Sequence, residues 1–220
     1  MKTVFIYTIS FLVVVHLGAV SVIAQNKSPD TGVILKDKSG RTPEERVRFL
    51  LNVGRAYLAE EDLERAQNAF ERALAIAPDK VETQFILGQV YITVKKYKEA
   101  EELLTGLIKQ RPDDFRLWNN LAWLYATAED PAYRNGEKAV RYAQEAMVLQ
   151  PYDYHVWSTL AEAYYVLGKY EKANRAIQHM ATLVTQYAKN ITKKEIDEYN
   201  AQIRKCRRAL ETMKILKKQE

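Results

Sequence analysis

Apolar residues recur every three to four positions through most of the chain after residue 42, and this spacing is typical of one face of an α-helix. After Trp118, for example, the residues Leu121, Ala122 and Tyr125 follow at the third, fourth and seventh positions. Only 8 Gly and 6 Pro are spread over 220 residues, which favours long helices over a turn-rich β fold. The pattern therefore predicts an all-α protein.

The helical pattern also repeats with a fixed period. Four residues recur unchanged 34 positions later, as Gly54 and Gly88, Tyr57 and Tyr91, Ala66 and Ala100, and Pro78 and Pro112. Further units start at residues 115 and 154. A helical hairpin cannot cover its own apolar face, so neighbouring hairpins must stack. We expect four stacked hairpins, at about residues 47–80, 81–114, 115–153 and 154–187.

These residues resemble the tetratricopeptide repeat pattern, W-x2-L-G-x2-Y followed by A-x3-F and then P. The resemblance covers about residues 42–187. Leu50 and Gln84 depart from it at the Trp place, and Ala122 and Ala161 depart from it at the Gly place. The resemblance implies a right-handed α-solenoid of four helix-turn-helix repeats, whose first helices line a concave groove. It also implies a protein–protein interaction module.

Both ends of the repeat region carry helix-start signals. Thr42-Pro43-Glu44-Glu45 and Thr192-Lys193-Lys194-Glu195 each have the spacing of a capping box. An apolar stripe follows the second box, at Ile196, Tyr199, Ile203, Cys206, Leu210 and Met213. It predicts a C-terminal capping helix within residues 188–220 that covers the fourth unit. The single cysteine, Cys206, lies in this stripe and is interpreted as a buried apolar residue rather than a reactive thiol.

The first 24 residues differ from the rest of the chain, because a short basic start precedes an almost unbroken apolar run. Residues 1–24 are typical of a signal peptide, with small residues before a cleavage point at Gln25. The run is also long enough to remain as an uncleaved membrane anchor. Residues 25–41 are expected to be a flexible N-terminal segment, and no second membrane span follows. The protein is thus expected to be exported, either periplasmic or secreted.

The net charge of +5 is unevenly distributed, since residues 188–220 hold 10 Lys and Arg against 5 Asp and Glu. The basic cluster around Arg204 and Lys205 is interpreted as the solvated face of the capping helix, and no nucleic acid partner is expected. The chain contains no HExxH, CxxC, P-loop, GxSxG or GxGxxG motif. We therefore expect no enzymatic activity, no metal site and no cofactor.

The concave groove is the favoured binding surface, with a protein or peptide as its partner. Ten first-helix residues outside the core face are expected to line it: Leu51, Arg55, Phe85, Gln89, Asn119, Asn120, Trp123, Ser158, Glu162 and Tyr165. Amide side chains can pair with both the donor and the acceptor of a peptide backbone, and Trp123 could serve as an anchor. Alternatively, Trp123 and Phe85 pack against neighbouring first helices and only narrow the groove.

The third unit is five residues longer than the others, since Tyr125 and Ala139 are 14 apart where Tyr57 and Ala66 are 9 apart. The extra residues fall in the turn between its two helices. They represent either a tolerated loop extension or an edge contact for a partner through Tyr133 and Arg134. The second interpretation belongs to an alternative function, a structural subunit that docks by its outer face, its termini or this loop.

Overall fold

The structure, a computed structural model, describes residues 41–219. Within that range the chain forms nine α-helices and no strand: α1 (Pro43–Ala59), α2 (Leu63–Ile76), α3 (Val81–Thr93), α4 (Tyr97–Gln110), α5 (Phe115–Thr127), α6 (Gly136–Leu149), α7 (Tyr154–Val166), α8 (Tyr170–Tyr187) and α9 (Lys193–Leu216). The predicted all-α class is confirmed. The predicted signal peptide, and all but the last residue of the predicted N-terminal segment, lie outside the described residues.

Both predicted capping boxes are formed. At the start of α1, the Thr42 backbone N–H donates to Glu45 Oε2 at 2.8 Å, and the Glu45 N–H donates to Thr42 Oγ1 at 3.3 Å. At the start of α9, Thr192 and Glu195 make the same reciprocal pair at 2.8 and 3.2 Å. Each box satisfies two backbone donors that have no partner within the helix. The sequence signal therefore marks where these two helices begin.

The residue at the Trp place joins each repeat to the one before it. In repeats two to four, its side-chain N–H donates to the carbonyl of the proline that closes the preceding repeat. The three bonds run from Gln84 Nε2 to Pro78 at 2.7 Å, from Trp118 Nε1 to Pro112 at 2.7 Å, and from Trp157 Nε1 to Pro151 at 2.6 Å. Gln84 can replace a tryptophan here because its amide supplies the same donor.

Small residues let the two helices of a repeat approach closely. A Cβ atom on Gly54 would lie 2.7 Å from Phe70 Cζ, and one on Gly88 would lie 2.9 Å from Leu104 Cδ2. The third repeat has Ala122 at the glycine place, and there the residue equivalent to Phe70 and Leu104 is Ala143. A glycine on the first helix therefore faces a large side chain on the second, and an alanine faces another alanine. This compensation in size keeps the core closely packed.

We predict that Gly54→Ala lowers the free energy of unfolding by about 1–2 kcal/mol. The new Cβ overpacks against a fully buried Phe70 ring, and this cost outweighs the better helix propensity of alanine. Urea denaturation, monitored by far-ultraviolet circular dichroism, measures the change in the free energy of unfolding. Gly106→Ala in α4 is the matched control, because a Cβ atom added there would have no neighbouring heavy atom within 4 Å. It should stabilise the protein by about 0.5–1 kcal/mol, and equal shifts for both variants would refute the packing argument.

The stacking order shows which helices form the inner wall. Each hairpin packs its second helix on the first helix of the next repeat, as α2 does on α3 and α6 does on α7. First helices also contact one another, α3 with α5, α5 with α7 and α7 with α9, whereas among the described residues the second helices form no comparable pairs. The array therefore curves with its first helices inside and its second helices outside, and the predicted solenoid is confirmed.

The helix α9 takes the place of a fifth first helix, since it packs on α8 and touches α7. Cys206 is fully buried there, and burial raises the pKa of its thiol to about 12. Ile196 differs from the predicted apolar stripe, because its side chain is 42% exposed. The buried face in the first turn of α9 runs through Glu195 instead, about 100° around the helix from Ile196.

Candidate binding surface

Charged and aromatic side chains connect successive first helices along the inner wall. Arg55 of α1 forms an ion pair with Glu82 of α3. The Arg116 guanidinium of α5 lies 4.9 Å from the ring centroid of Phe85, a cation–π contact with α3. Two hydrogen bonds of 2.7 and 2.8 Å to Asp114 hold this guanidinium in place, and they lower the pKa of the Asp114 carboxyl. The wall of the first three repeats thus presents paired charges and aromatic rings in fixed positions.

The ten predicted groove residues differ in exposure. Six are buried, namely Leu51, Phe85, Asn119, Asn120, Ser158 and Glu162. The other four, Arg55, Gln89, Trp123 and Tyr165, are half-buried. A half-buried side chain keeps part of its surface available to a partner, so Arg55, Gln89 and Trp123 are the predicted residues best placed for contact in the first three repeats.

Two adjacent amides lie beneath this surface in α5. Asn119 and Asn120 are each 3% exposed. Among the described residues, Asn119 Oδ1 and Asn120 Nδ2 have no hydrogen-bond partner. Buried polar atoms are nearly always paired in folded proteins, so these two unpaired atoms are a cost to the fold, and with so little exposure they lie below the surface that a partner would touch.

The fourth repeat presents its predicted groove residues to the chain's own last helix. Ser158 Oγ donates to Gln202 Oε1 at 2.7 Å, and Gln202 Nε2 donates to the Ser158 carbonyl at 2.9 Å. Lys205 forms an ion pair with Glu162, and its Nζ lies 4.2 Å from the ring centroid of Tyr165. Because α9 occupies this part of the wall, the inner surface left to a partner belongs to the first three repeats.

Neither Gln202 nor Lys205 is among the groove contacts expected from the sequence. The charge pattern places Lys205 on the solvated face of α9, and the structure corrects this interpretation, because its ammonium pairs with Glu162. The sequence contains one signal for Gln202. It follows Tyr199 by three positions and precedes Cys206 by four, so it lies on the same, otherwise buried, helix face. A polar residue at a buried position needs a partner, which points to polar groups on the helix beneath it.

The loop that holds the five-residue insertion packs onto Tyr97 at the start of α4. The Tyr133 ring centroid lies 5.6 Å from that of Tyr97. Arg134 Nε donates to the Ala128 carbonyl at 2.7 Å, and the Glu129 backbone N–H donates to Tyr97 Oη at 3.1 Å. Both residues considered for an edge contact are therefore engaged in intramolecular contacts that fix the loop.

The two ends of the array meet through one ion pair. Lys194 Nζ in the first turn of α9 lies 2.6 Å from Glu61 Oε1, in the turn between α1 and α2. The hydrogen bond from Lys194 lowers the pKa of Glu61. Both side chains are well exposed, so solvent screens the pair and it contributes little stability.

Two further observations concern chemistry and membranes. In the part of the chain that the structure covers, no cluster of three or more His, Cys, Asp or Glu side chains could hold a metal ion. No helix between residues 41 and 219 has the length and apolar character needed to cross a bilayer.

Cys206 gives a direct measure of α9 docking. We predict that 5,5′-dithiobis(2-nitrobenzoic acid) labels the native protein at about pH 8 at least about 100-fold more slowly than the protein in about 6 M guanidinium chloride, since a buried thiol with a raised pKa is neither accessible nor ionised. Release of the coloured thiolate, followed by its visible absorbance, reports the reaction. Labelling of the native protein at the rate of the unfolded protein would show that α9 is not stably docked.

Comparison with known proteins agrees with this geometry. The family model described as Tetratricopeptide repeat matches residues 57–124. Cellulose synthase operon protein C of Pseudomonas fluorescens is 32% identical over 106 residues, which are 44% of this chain and 8% of that protein. Superkiller protein 3 of Schizosaccharomyces pombe is 23% identical over 134 residues, 60% of this chain and 10% of that protein. The chain thus spans about a tenth of the length of these relatives.

Solved structures show the same architecture. The MamA AMB-1 structure is 26% identical, with a TM-score of 0.53 over 66% of this chain and 84% of that chain. A thermophilic TPR protein of Thermus thermophilus is 21% identical, with a TM-score of 0.55 over 75% of this chain and 90% of that chain, and shows likeness of fold alone. Together with the 34-residue period and the stacked hairpins, the family match over residues 57–124 shows that the chain carries tetratricopeptide repeats, whose fold serves as a scaffold for protein–protein interaction.

Proposed function

We propose that this protein is an exported adaptor that holds an extended segment of a partner protein against the inner wall of its first three repeats. The observation that carries the proposal is the half-buried set Arg55, Gln89 and Trp123, which keeps accessible surface on the first helices of these three repeats. Trp123 on α5 is the aromatic member of this set. Polar groups beside an aromatic ring suit a peptide backbone with one apolar side chain.

The neighbouring side chains support the same kind of ligand. Arg55 and Arg116 are held by Glu82 and Asp114, so they are oriented before a partner arrives. Oriented groups lose less conformational entropy on binding than mobile ones. The mechanism is hydrogen bonding and aromatic anchoring, without chemical conversion of the partner.

Site-specific photo-crosslinking in the full chain tests the groove. A benzoylphenylalanine at Gln89, on the inner wall, should crosslink to a short region of the partner that mass spectrometry maps to an extended segment. The same probe at Arg72, which is exposed on the outer helix α2, is the control and should not crosslink to the partner. Trp123→Ala should abolish the Gln89 crosslink. The groove proposal would be wrong if the Trp123→Ala variant recovered as much partner as the unmodified protein while a folded Tyr133→Ala variant recovered none.

Export is tested separately by cell fractionation. The full chain with a C-terminal tag should reach the exported fraction, and deletion of residues 1–24 should leave it in the cytoplasm. A mature N-terminus at Gln25 would establish cleavage, whereas an intact Met1 in the membrane fraction would establish an uncleaved anchor. Equal export of the deletion variant would refute the assignment of a signal.

A second candidate function, a structural subunit that docks by its outer edge, is favoured by exposed apolar side chains at the ends of α6 and α8. Val148 is 74% exposed, Tyr152 67% and Tyr187 55%. The rings of Tyr152 and Tyr187 lie 6.3 Å apart, so these two residues form one surface. Apolar patches of this kind mark interaction sites. Tyr152→Lys should then abolish partner recovery where Trp123→Ala does not.

A further inference from the structure

The outer wall contains a cleft between α6 and α8, with α7 as its floor. It has a volume of about 390 Å³. Its lining includes Met147 of α6, Trp157 and Tyr164 of α7, and Lys172, Arg175 and His179 of α8. The cleft exists because the second helices do not pack on each other, so the outer side of α7 stays uncovered between them.

Aromatic rings form the floor and one side of the cleft. The Trp157 and His179 rings have centroids 4.2 Å apart. The Trp157 N–H is already bonded to the Pro151 carbonyl at 2.6 Å, which fixes the indole. The cleft therefore offers Trp157 as an apolar contact surface rather than as a hydrogen-bond donor, and a ring held in one position loses little entropy when a ligand packs on it.

The charged residues on the rim all have the same sign. Lys172 and Arg175 lie one turn apart on α8, and no carboxylate is among the residues that line the cleft. Lys172 Nζ lies 5.6 Å from the ring centroid of Tyr164. Across residues 41–219, neither cation lies within 4 Å of a carboxylate. Both cations are therefore available to pair with anionic groups of a ligand.

We propose that this outer cleft binds an acidic segment of a partner protein, with an aromatic or long apolar side chain placed on Trp157 and flanking carboxylates paired with Lys172 and Arg175. The charge of the rim selects acidic flanks, and the aromatic floor selects one apolar residue between them. The site is independent of the groove, because it lies on the opposite wall and uses other helices. Failure of one proposal leaves the other standing.

The probe for the test is the peptide acetyl-Glu-Asp-Phe-Asp-Glu-amide, which has no tryptophan. Binding to the full chain is measured by isothermal titration calorimetry at low ionic strength, with tryptophan fluorescence in parallel. We expect the fluorescence to change on binding, and Trp157→Phe to remove that change. Replacing the peptide's Phe with Ala should weaken binding at least about tenfold, because its apolar contact is lost.

The charge requirement is tested with two matched double variants. Lys172→Gln with Arg175→Gln should weaken binding about tenfold, since an exposed ion pair is worth up to about fivefold each. Arg207→Gln with Arg208→Gln removes the same charge from exposed positions on α9 and should change binding less than about twofold. Circular dichroism checks that both variants fold.

Several results would overturn the proposal. Absence of binding, or equal weakening by both double variants, would show that the cleft does not recognise the peptide. Equal affinity for the Ala-substituted peptide would show that Trp157 plays no part. Tighter binding of phenyl phosphate than of the peptide would show a site for a small aromatic anion in place of a protein segment.

Discussion

Replacement of Phe70 with Ala should lower the free energy of unfolding by about 3–5 kcal/mol. Phe70 is fully buried in α2, and its ring edge occupies the space left by the missing side chain of Gly54. Truncation removes the apolar surface of the ring and leaves a cavity between the two helices of the first repeat.

Urea denaturation measures this loss, and hydrogen exchange locates it. Exchange should accelerate mainly in residues 43–76, since each repeat contacts only its neighbours and end repeats can open separately. Phe70→Leu is the matched control. It should cost less than about 1.5 kcal/mol, because the second repeat already carries Leu104 at the equivalent place.

A double variant tests the size compensation. Gly54→Ala combined with Phe70→Ala reproduces the pair Ala122 and Ala143 of the third repeat. Its destabilisation should be smaller than the sum of the two single variants, since the new methyl group enters the cavity instead of meeting the ring. Strict additivity would show that the two positions do not share one packing contact.

Replacement of Lys205 with Ala should weaken the docking of α9 by about 2–3 kcal/mol. The Lys205 ammonium pairs with Glu162, whose side chain is only 10% exposed. Removing one member of a buried pair costs about 3–5 kcal/mol, and the lower figure allows for the 28% exposure of Lys205. After truncation, Glu162 would keep a single long hydrogen bond of 3.4 Å from Gln202.

The rate of Cys206 labelling is the sharpest measurement for this variant, since the thiol becomes accessible only when α9 separates. We expect the rate to rise about 30–150-fold, which corresponds to about 2–3 kcal/mol. Arg204→Ala, at the exposed neighbouring position, should leave the rate within about twofold. Lys205→Ala combined with Glu162→Gln should recover part of the loss, because no charge is then buried. An unchanged rate in Lys205→Ala would contradict the role given to this pair.

The repeat architecture could be predicted from the sequence because its causes lie within one repeat length. The 34-residue period, the Trp or Gln in the first helix of repeats two to four and the closing prolines can all be recognised within one repeat. The second repeat has Gln84 where the third has Trp118, which departs from the family pattern. Both side chains donate a hydrogen bond to a proline carbonyl, and this shared bond explains the departure. Only the structure revealed that bond.

The candidate surfaces were less predictable, since they depend on contacts between distant segments. Tyr133 and Arg134 lie among turn signals in the sequence, yet their contacts with Tyr97 and Ala128 depend on how the chain packs around the insertion. The outer cleft likewise arises from the spacing of α6 and α8 and has no sequence motif of its own.

Local patterns in the chain were enough to specify the helices, their ends, their period and the need for hairpins to stack, because hydrophobic periodicity and helix capping act over a few residues. Which part of the inner wall remains open became clear only from the folded chain. The pairing of Ser158 with Gln202 joins residues 44 positions apart, and that of Glu162 with Lys205 joins residues 43 apart. Such pairings follow from how α9 packs on the fourth repeat, and local sequence patterns do not specify that packing.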